Sequence, residues 1–209
     1  MKVFWTLLAA LAAIPIFAGE CQLYYRLDSP KGLPSAQTVG LATKYGEIWG
    51  YNIGQDNYEP ADWQIGASKP VYKFGESTCS LGLYYSKWDY DLAPKDYRFL
   101  IPYAKIAGRF QGYDYAADLN YYVPLNGGPH LLTSTDLHLE REIISRVSIG
   151  LTGQYTEIEG LSKRLTAGPR LSYVCNRSEL TEANITLSYL RFGPDDPNTL
   201  RAELAVKFK

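Results

Sequence analysis

The residues best placed to do chemistry are Asp136, His138 and Glu140, which recur at every second position. On a β-strand, side chains two residues apart point to the same face, so this spacing would line up the imidazole between two carboxylates. An imidazole held by carboxylates can serve as a general base, since it gains and loses a proton near neutral pH. These three residues are therefore the candidate for acid–base chemistry.

The composition gives little support to other kinds of site. The chain contains only two histidines and three cysteines, and their spacing does not match a metal site. With 21 basic and 22 acidic residues the net charge is −1, so no basic surface predicts nucleic-acid binding. Hydrolase, phosphate-loop and zinc-protease motifs are also missing. We therefore expect no metal, no cofactor and no nucleic-acid partner.

The first 18 residues have the features of a secretory signal peptide. Lys2 supplies a positive charge, residues 3–18 are mainly apolar, and Ala18 is the small residue that a signal peptidase requires. Glu20 stands before Cys21, where a lipoprotein would carry a small residue, so we expect no lipid attachment. The prediction is an exported chain.

Alternation of apolar and polar residues dominates from about residue 38 onwards. In the last segment Leu200, Leu204 and Phe208 share one face with other apolar residues, which is typical of a strand. No segment shows the period of an amphipathic helix. The pattern predicts ten strands, at 38–53, 62–74, 79–90, 97–110, 113–124, 130–142, 145–157, 163–175, 180–191 and 199–208.

The most specific prediction is a hairpin with a two-residue turn at 111–112. Opposite charges across a strand pair stabilise a sheet, and so does an aromatic ring that covers a glycine. A single turn position produces four such pairs: Arg109 with Asp114, Lys105 with Asp118, Phe110 with Tyr113, and Gly108 with Tyr115.

Strand length and loop asymmetry indicate which face of the sheet points outwards. Most predicted strands have about 11–14 residues, enough to cross a bilayer with tilt, whereas soluble strands average nearer 5–6. Short and long connections alternate along the chain, as they do in outer-membrane barrels. We therefore place the apolar faces against lipid. The short connections lie near 75–78, 111–112, 143–144 and 176–179, and the long ones near 54–61, 91–96, 124–129, 157–162 and 192–198.

The pattern over residues 38–208 resembles the small outer-membrane β-barrel proteins of Gram-negative bacteria, a group that includes OmpA-type, OmpX-like and opacity-type barrels. The last strand contributes to the resemblance because it alternates and reaches Phe208, although Lys209 follows. The resemblance implies an all-β, closed, antiparallel up-and-down transmembrane barrel of about ten strands, with eight or twelve as alternatives. It also implies localisation in the bacterial outer membrane, contact with its lipid and lipopolysaccharide, and insertion by the barrel-assembly machinery.

The prediction divides the chain into three parts. Residues 1–18 are the signal peptide, residues 19–37 are an irregular periplasmic lead-in, and residues 38–209 are the barrel domain. A short extra strand at 23–27 is the alternative for the lead-in. Pro169 lies within a predicted strand, where it removes a backbone donor, and therefore predicts a bulge or a local break.

The polar faces of such a barrel line its lumen. An unpaired charge in a narrow, poorly hydrated lumen is costly, so we expect the lumenal charges to form a paired network. Its predicted members are Lys105, Arg109, Asp114, Asp118, Asp136, His138, Glu140, Arg164, Arg170, Arg201 and Glu203.

We predict the first of the following three functions, and the other two are its alternatives. The first is a structural or surface-interaction role through exposed loops and an unknown extracellular partner, with a lumen largely filled by side chains. The second is a narrow pore for ions or small solutes. The third is a secreted soluble barrel that holds an apolar ligand, which would reverse every face assignment.

Two enzyme classes are weaker alternatives. The acidic pair at 89–91, with Asp136 and His138, resembles the paired side chains of the omptin proteases. This chain is much shorter than an omptin, and the predicted strands separate the acidic pair from His138. Lipid A-modifying barrels need a histidine with a serine and an acid near the membrane edge, for which His130 and Ser134 are a poor match. We expect no enzymatic activity.

The cysteines map toward the periplasmic end of the predicted barrel. Cys79 and Cys175 would lie half a barrel apart, beyond disulfide reach, and a bond between Cys21 and Cys79 is the remaining alternative. Otherwise the three thiols act as small apolar residues.

Overall fold

The protein forms a closed barrel of twelve antiparallel strands. The computed structural model describes residues 21–30, 35–43, 46–54, 60–88, 97–160, 162–191 and 198–208. Each strand pairs with its neighbours in the chain, and β12 pairs with β1. The strands are β1 Cys21–Pro30, β2 Ala36–Thr43, β3 Gly46–Gly54, β4 Pro60–Phe74, β5 Ser77–Trp88, β6 Tyr97–Phe110, β7 Tyr113–Pro124, β8 Leu131–Ile144, β9 Val147–Ile158, β10 Ser162–Arg177, β11 Thr181–Leu190 and β12 Thr199–Phe208.

The closed up-and-down topology is confirmed, but the number of strands is twelve rather than ten. Residues 21–30, for which we predicted an irregular lead-in with a short strand at 23–27 as the alternative, form β1 and pair with β12 along their whole length. The segment predicted as one strand at 38–53 is β2 and β3, because the chain reverses between Thr43 and Gly46. The barrel therefore begins near Cys21, while the predicted signal peptide lies outside the described residues.

The predicted two-residue hairpin between β6 and β7 has the expected register. Gln111 and Gly112 both have positive φ, of 51° and 81°, as a type I′ turn requires. Arg109 and Asp114 form an ion pair of 3.2 Å across the strands. The second predicted charge pair is also opposite in register, but its two side chains bind different partners.

Apolar side chains cover the outer surface of the barrel. In β7, Leu119 is 47% exposed, whereas its neighbours Asp118 and Asn120 are 6% and 2% exposed because they face the lumen. An apolar exterior around a polar interior is the arrangement of a transmembrane barrel, and it contradicts the alternative of a soluble barrel with an apolar cavity. Other exposed apolar residues are Ile65, Leu83, Leu100, Leu139, Leu151, Leu171, Leu187 and Leu200.

Short and long connections lie at opposite ends of the barrel, as predicted. Two-residue turns at 75–76, 111–112 and 145–146 join strands at one end, where β1 also starts and β12 finishes. Longer connections such as 125–130 lie at the other end. We refer to these as the short-turn end and the long-loop end.

Pro169 interrupts the sheet on one side only. It pairs with β9 in regular register, but the continuous pairing of β10 with β11 begins at Arg170. Beyond the proline this ladder continues only as an isolated bridge between Ala167 and Arg191. The predicted local break is therefore found, and it follows from the missing backbone donor of proline.

The cysteines are free thiols in this structure. Cys21 is buried and Cys175 is exposed, and Cys79 is also unbonded, so the predicted alternative of a disulfide between Cys21 and Cys79 is wrong. Within the described ranges, no helix is long and apolar enough to cross a membrane, and no group of three or more His, Cys, Asp or Glu side chains could hold a metal ion.

The closed sheet and its apolar exterior can be tested by the migration of the protein in SDS gel electrophoresis. We expect the detergent-purified protein to migrate differently in SDS before and after boiling, because a sheet without free edges unfolds slowly. The boiled sample is the internal control. A single band position, together with solubility in the absence of detergent, would contradict the outward orientation of the apolar faces.

Candidate functional site

The strands enclose a lumenal cavity of about 970 Å³. Its lining extends from Arg177 and Glu182 at the short-turn end to Gln64 and Thr156 towards the long-loop end. Because side chains alternate along each strand, the polar half of most strands faces this space. The cavity is thus the candidate functional site.

Nine of the eleven residues that we predicted for the lumen line this cavity. The other two are arginines. Arg201 is almost completely buried beside the cavity, whereas Arg164 is exposed near the long-loop end of β10 and does not line it. The nine are Lys105, Arg109, Asp114, Asp118, Asp136, His138, Glu140, Arg170 and Glu203.

Asp136 links Lys105 on β6 to His138 on its own strand. The Lys105 ammonium lies 2.7 Å from Asp136 Oδ2, and His138 Nδ1 lies 2.8 Å from Asp136 Oδ1. The predicted partner of Lys105 was Asp118, which is opposite in register but is occupied elsewhere. Glu140 does not join this group, because it pairs with Arg170. The predicted imidazole between two carboxylates is therefore not formed, and His138 contacts Asp136 alone of the two.

Arg170 on β10 holds two carboxylates from different strands. Its Nε donates to Glu140 Oε2 on β8 at 3.0 Å, and its Nη1 donates to Glu203 Oε2 on β12 at 3.2 Å. Ser172 Oγ donates to the same oxygen of Glu140 at 2.7 Å. Because these buried charges are matched, the group avoids the large cost of an unpaired charge in the lumen.

Arg201 on β12 extends towards β8 beside the cavity. Its Nε donates to Asp28 Oδ1 on β1 at 2.6 Å, and its Nη1 donates to the backbone carbonyl oxygen of Thr135 on β8 at 3.1 Å. Three strands separate β8 from β12 in the sheet, so this side chain joins two walls that are not adjacent. We call Asp28, Arg201 and the Thr135 carbonyl group the crossbar.

A β-bulge in β8 lies beside the crossbar, and Asp118 on β7 caps it. The pairing of β8 shifts by one residue against both β7 and β9. Asp118 Oδ1 accepts hydrogen bonds from the backbone amides of Thr135 and Asp136, both at 2.7 Å. The hydroxyls of Ser134 and Thr135 and the amide of Asn120 donate to the same carboxylate. The carboxylate thus replaces ladder partners that the bulge removes.

An aromatic cluster fills part of the lumen towards the long-loop end. Tyr84, Phe99, Ile101, Tyr122 and Leu131 are buried together. The ring centroids of Phe99 and Tyr122 are 5.6 Å apart, and the rings pack edge to face. The Tyr84 hydroxyl donates to the side-chain oxygen of Asn120. We predicted only polar side chains for the lumen, so this cluster is an addition to the predicted interior.

Sequence reasoning missed several charged residues of the lumen. Arg26 and Asp28 lie on β1, which we predicted to be irregular. Glu47 follows the unexpected reversal into β3. Arg177 and Glu182 form an ion pair of 3.1 Å beside a turn, at the limit of the predicted strands. In β1, the alternation of Arg26 and Asp28 with apolar neighbours was the signal that could have found them.

Solved outer-membrane barrels have a similar fold. No family model matches the sequence, and no curated protein matches it. The KdgM porin in complex with disordered oligogalacturonate is 11% identical with a TM-score of 0.56, over 90% of this chain and 98% of that chain. The NanC porin is 10% identical with a TM-score of 0.55, over 90% and 99%. The translocator domain of the autotransporter NalP from Neisseria meningitidis is 11% identical with a TM-score of 0.51, over 99% and 94%.

These likenesses establish the fold of a bacterial outer-membrane β-barrel. The apolar exterior requires lipid around the strands, and closed antiparallel barrels with such an exterior span the bacterial outer membrane. The chain is therefore a bacterial outer-membrane protein. The finer resemblance to the OmpA-type, OmpX-like and opacity-type group stays a prediction.

Proposed function

We propose that this barrel is a narrow pore for small polar solutes. The observation that carries the proposal is the lumenal cavity of about 970 Å³, whose polar lining runs from Arg177 near the short-turn end to Thr156 near the long-loop end. Twelve strands lie between about eight, at which side chains just fill the interior, and about 16–18, at which wide aqueous channels appear. The KdgM and NanC porins support the proposal by analogy of fold.

The side chains inside the lumen restrict the size of the solute. The ion pairs of Asp136 and Arg170 line one side of the cavity, and the crossbar lies beside it, so a solute passes charged side chains there. A narrow polar path of this kind suits ions and small polar molecules.

Conductance across a planar bilayer tests the pore. We expect discrete steps from the purified, refolded protein, smaller than those of barrels with wide aqueous channels, because side chains occupy much of this lumen. Boiled protein from the same preparation is the control. If protein with the unheated gel mobility of a folded barrel gives no steps, the pore proposal is rejected.

A surface role with a closed lumen is the second candidate. It is favoured by the packing of inward side chains towards the long-loop end, where Ser86, Phe99, Ile101 and Leu190 are at most 1% exposed. In that case the exposed loops would carry the function through an extracellular partner. Folded protein without conductance is the result expected from this candidate.

The apolar exterior and the outer-membrane location also suggest partners for the barrel. We propose that the apolar exterior contacts outer-membrane lipid and lipopolysaccharide, and that the barrel-assembly machinery inserts the chain. We propose no catalytic role for His138, because its Nδ1 contacts the carboxylate of Asp136, which also pairs with Lys105.

The charge of the lumen disfavours a polyanion as the solute. Oligogalacturonate, the ligand in one KdgM structure, carries many carboxylates. In this chain nine acidic side chains line the described cavity, against five cationic side chains and the adjacent Arg201. The acidic sugar of that porin is therefore not proposed for this barrel.

A further inference from the structure

We propose that the pore passes small cations in preference to anions. The inference rests on the proposed pore and concerns the sign of the charge that its wall presents to a solute. It rests on the pairing of the lumenal charges, in which the cations have carboxylate partners while three carboxylates have neutral partners.

The cationic side chains of the described lumen are already neutralised. Each of them lies within 3.5 Å of a carboxylate. Asp28 forms ion pairs with two cations, Arg26 and Arg201. Arg170 forms ion pairs with two carboxylates, Glu140 and Glu203. The extra cation of the first group and the extra carboxylate of the second therefore cancel in the charge balance of the lumen. An anion that enters the lumen therefore finds little unmatched positive charge.

Three lumenal carboxylates have neutral hydrogen-bond donors instead of a described cation. Glu47 accepts a hydrogen bond from the Tyr24 hydroxyl. Glu142 accepts one from the backbone amide of Arg146 at 3.2 Å. Asp118 is held by backbone amides, hydroxyls and a side-chain amide. The surplus negative charge of the described lumen is thus assigned to these three residues.

The three carboxylates are spread along the path of a solute. Glu142 lies two residues from the end of β8 and Glu47 one residue from the start of β3, so both are near the short-turn end. Asp118 lies in the middle of β7. Lys207 shares the inward parity of β12, but it is exposed at the end of the strand and does not line the cavity.

Unmatched charge in a narrow lumen acts strongly on ions. Protein walls of low dielectric constant focus the field into the aqueous path, which raises the local concentration of ions of opposite sign. Rings and strips of acidic side chains select cations in channels for this reason. Because salt screens exposed charges, the preference should be clearest at low ionic strength.

The reversal potential in a KCl gradient across a planar bilayer measures this preference. We expect the sign that marks cation selectivity for the wild-type barrel. The double variant Glu47→Gln, Glu142→Gln should lower the ratio of cation to anion permeability by about twofold or more, because two of the three unmatched charges are removed. Both substitutions keep the shape and the hydrogen-bond acceptor of the side chain.

Glu179→Gln is the matched control. Glu179 is exposed in the turn between β10 and β11, at the same end of the barrel but outside the cavity lining, so its loss should leave the reversal potential unchanged. Asp118 is left intact because it also caps the bulge.

The outcomes separate this inference from the pore itself. Folded protein without conductance rejects the pore, and with it the basis of the inference. Conductance without cation preference rejects the inference and leaves the pore standing. A cation preference that survives in the double variant, or that falls equally in Glu179→Gln, overturns the assignment to Glu47 and Glu142.

Discussion

Asp118→Ala should destabilise the barrel by about 3 kcal/mol or more, because an unsatisfied backbone amide inside a membrane wall costs about 1–3 kcal/mol and often more. The substitution leaves the amides of Thr135 and Asp136 without their acceptor. It also removes the acceptor of the hydroxyls of Ser134 and Thr135. In the wild-type barrel the carboxylate is only 6% exposed, so its donors depend on it rather than on solvent.

Asp114→Ala is the matched control for this prediction. Asp114 is the same residue type on the same strand and lines the same cavity, but the ion pair that it forms with Arg109 is largely exposed near the short-turn end. Exposed pairs contribute about 0–1 kcal/mol, so this substitution should have a small effect. Asp118→Asn should fall between the two, since its amide oxygen keeps one acceptor for the backbone amides.

Unfolding by urea in detergent micelles, followed by tryptophan fluorescence and by the unheated gel band, measures the effect. We expect the midpoint to fall in the order wild type, Asp114→Ala, Asp118→Asn and Asp118→Ala. If Asp118→Ala and Asp114→Ala unfold at the same urea concentration, the carboxylate is not what stabilises the bulge.

The bulge shows where the sequence was informative and where it was not. Period-two alternation and one turn position predicted that Asp118 faces the lumen opposite Lys105, and both statements hold. The partners were wrong because one extra residue in β8 brings backbone amides to Asp118 and another carboxylate to Lys105. Residues 133–136 are four consecutive polar residues, and this interruption of the alternation was the available signal.

The strand count failed for a related reason. The reversal between Thr43 and Gly46 has no Asn-Gly or Asp-Gly turn, so alternation runs through it and two strands look like one. Contacts across the lumen are harder still to predict. Which residues meet there depends on the number of strands and their stagger, which are properties of the closed barrel and not of any one segment.

Arg201 joins strands that come together only in the closed barrel, and its substitution has the largest expected effect on conductance. Arg201→Ala should raise the single-channel conductance by about twofold or more, because side chains rather than backbone set the narrowest cross-section of a small barrel. The arginine joins Asp28 on β1 to the Thr135 carbonyl on β8. Without it, the space between these two walls opens, while Asp28 keeps Arg26 at 3.5 Å as a partner.

Two further variants separate the width of the lumen from its charge. Arg201→Lys keeps one positive charge but has a single ammonium group, so it should hold Asp28 and lose the bond to Thr135. Its conductance should lie between those of the wild type and Arg201→Ala. Arg109→Ala removes an arginine of the same lumen near the short-turn end, where the pair is exposed, and should change the conductance little.

The comparison is made on protein that shows the unheated gel mobility of a folded barrel, since Arg201 is 1% exposed and its loss also weakens the fold. A larger conductance in Arg201→Ala than in Arg109→Ala supports the crossbar as the constriction. Equal conductance in Arg201→Ala and the wild type would mean that ions bypass the crossbar. The path would then follow the wall formed by β2 to β5, because the crossbar and the ion pairs of Asp136 and Arg170 occupy the opposite side of the lumen.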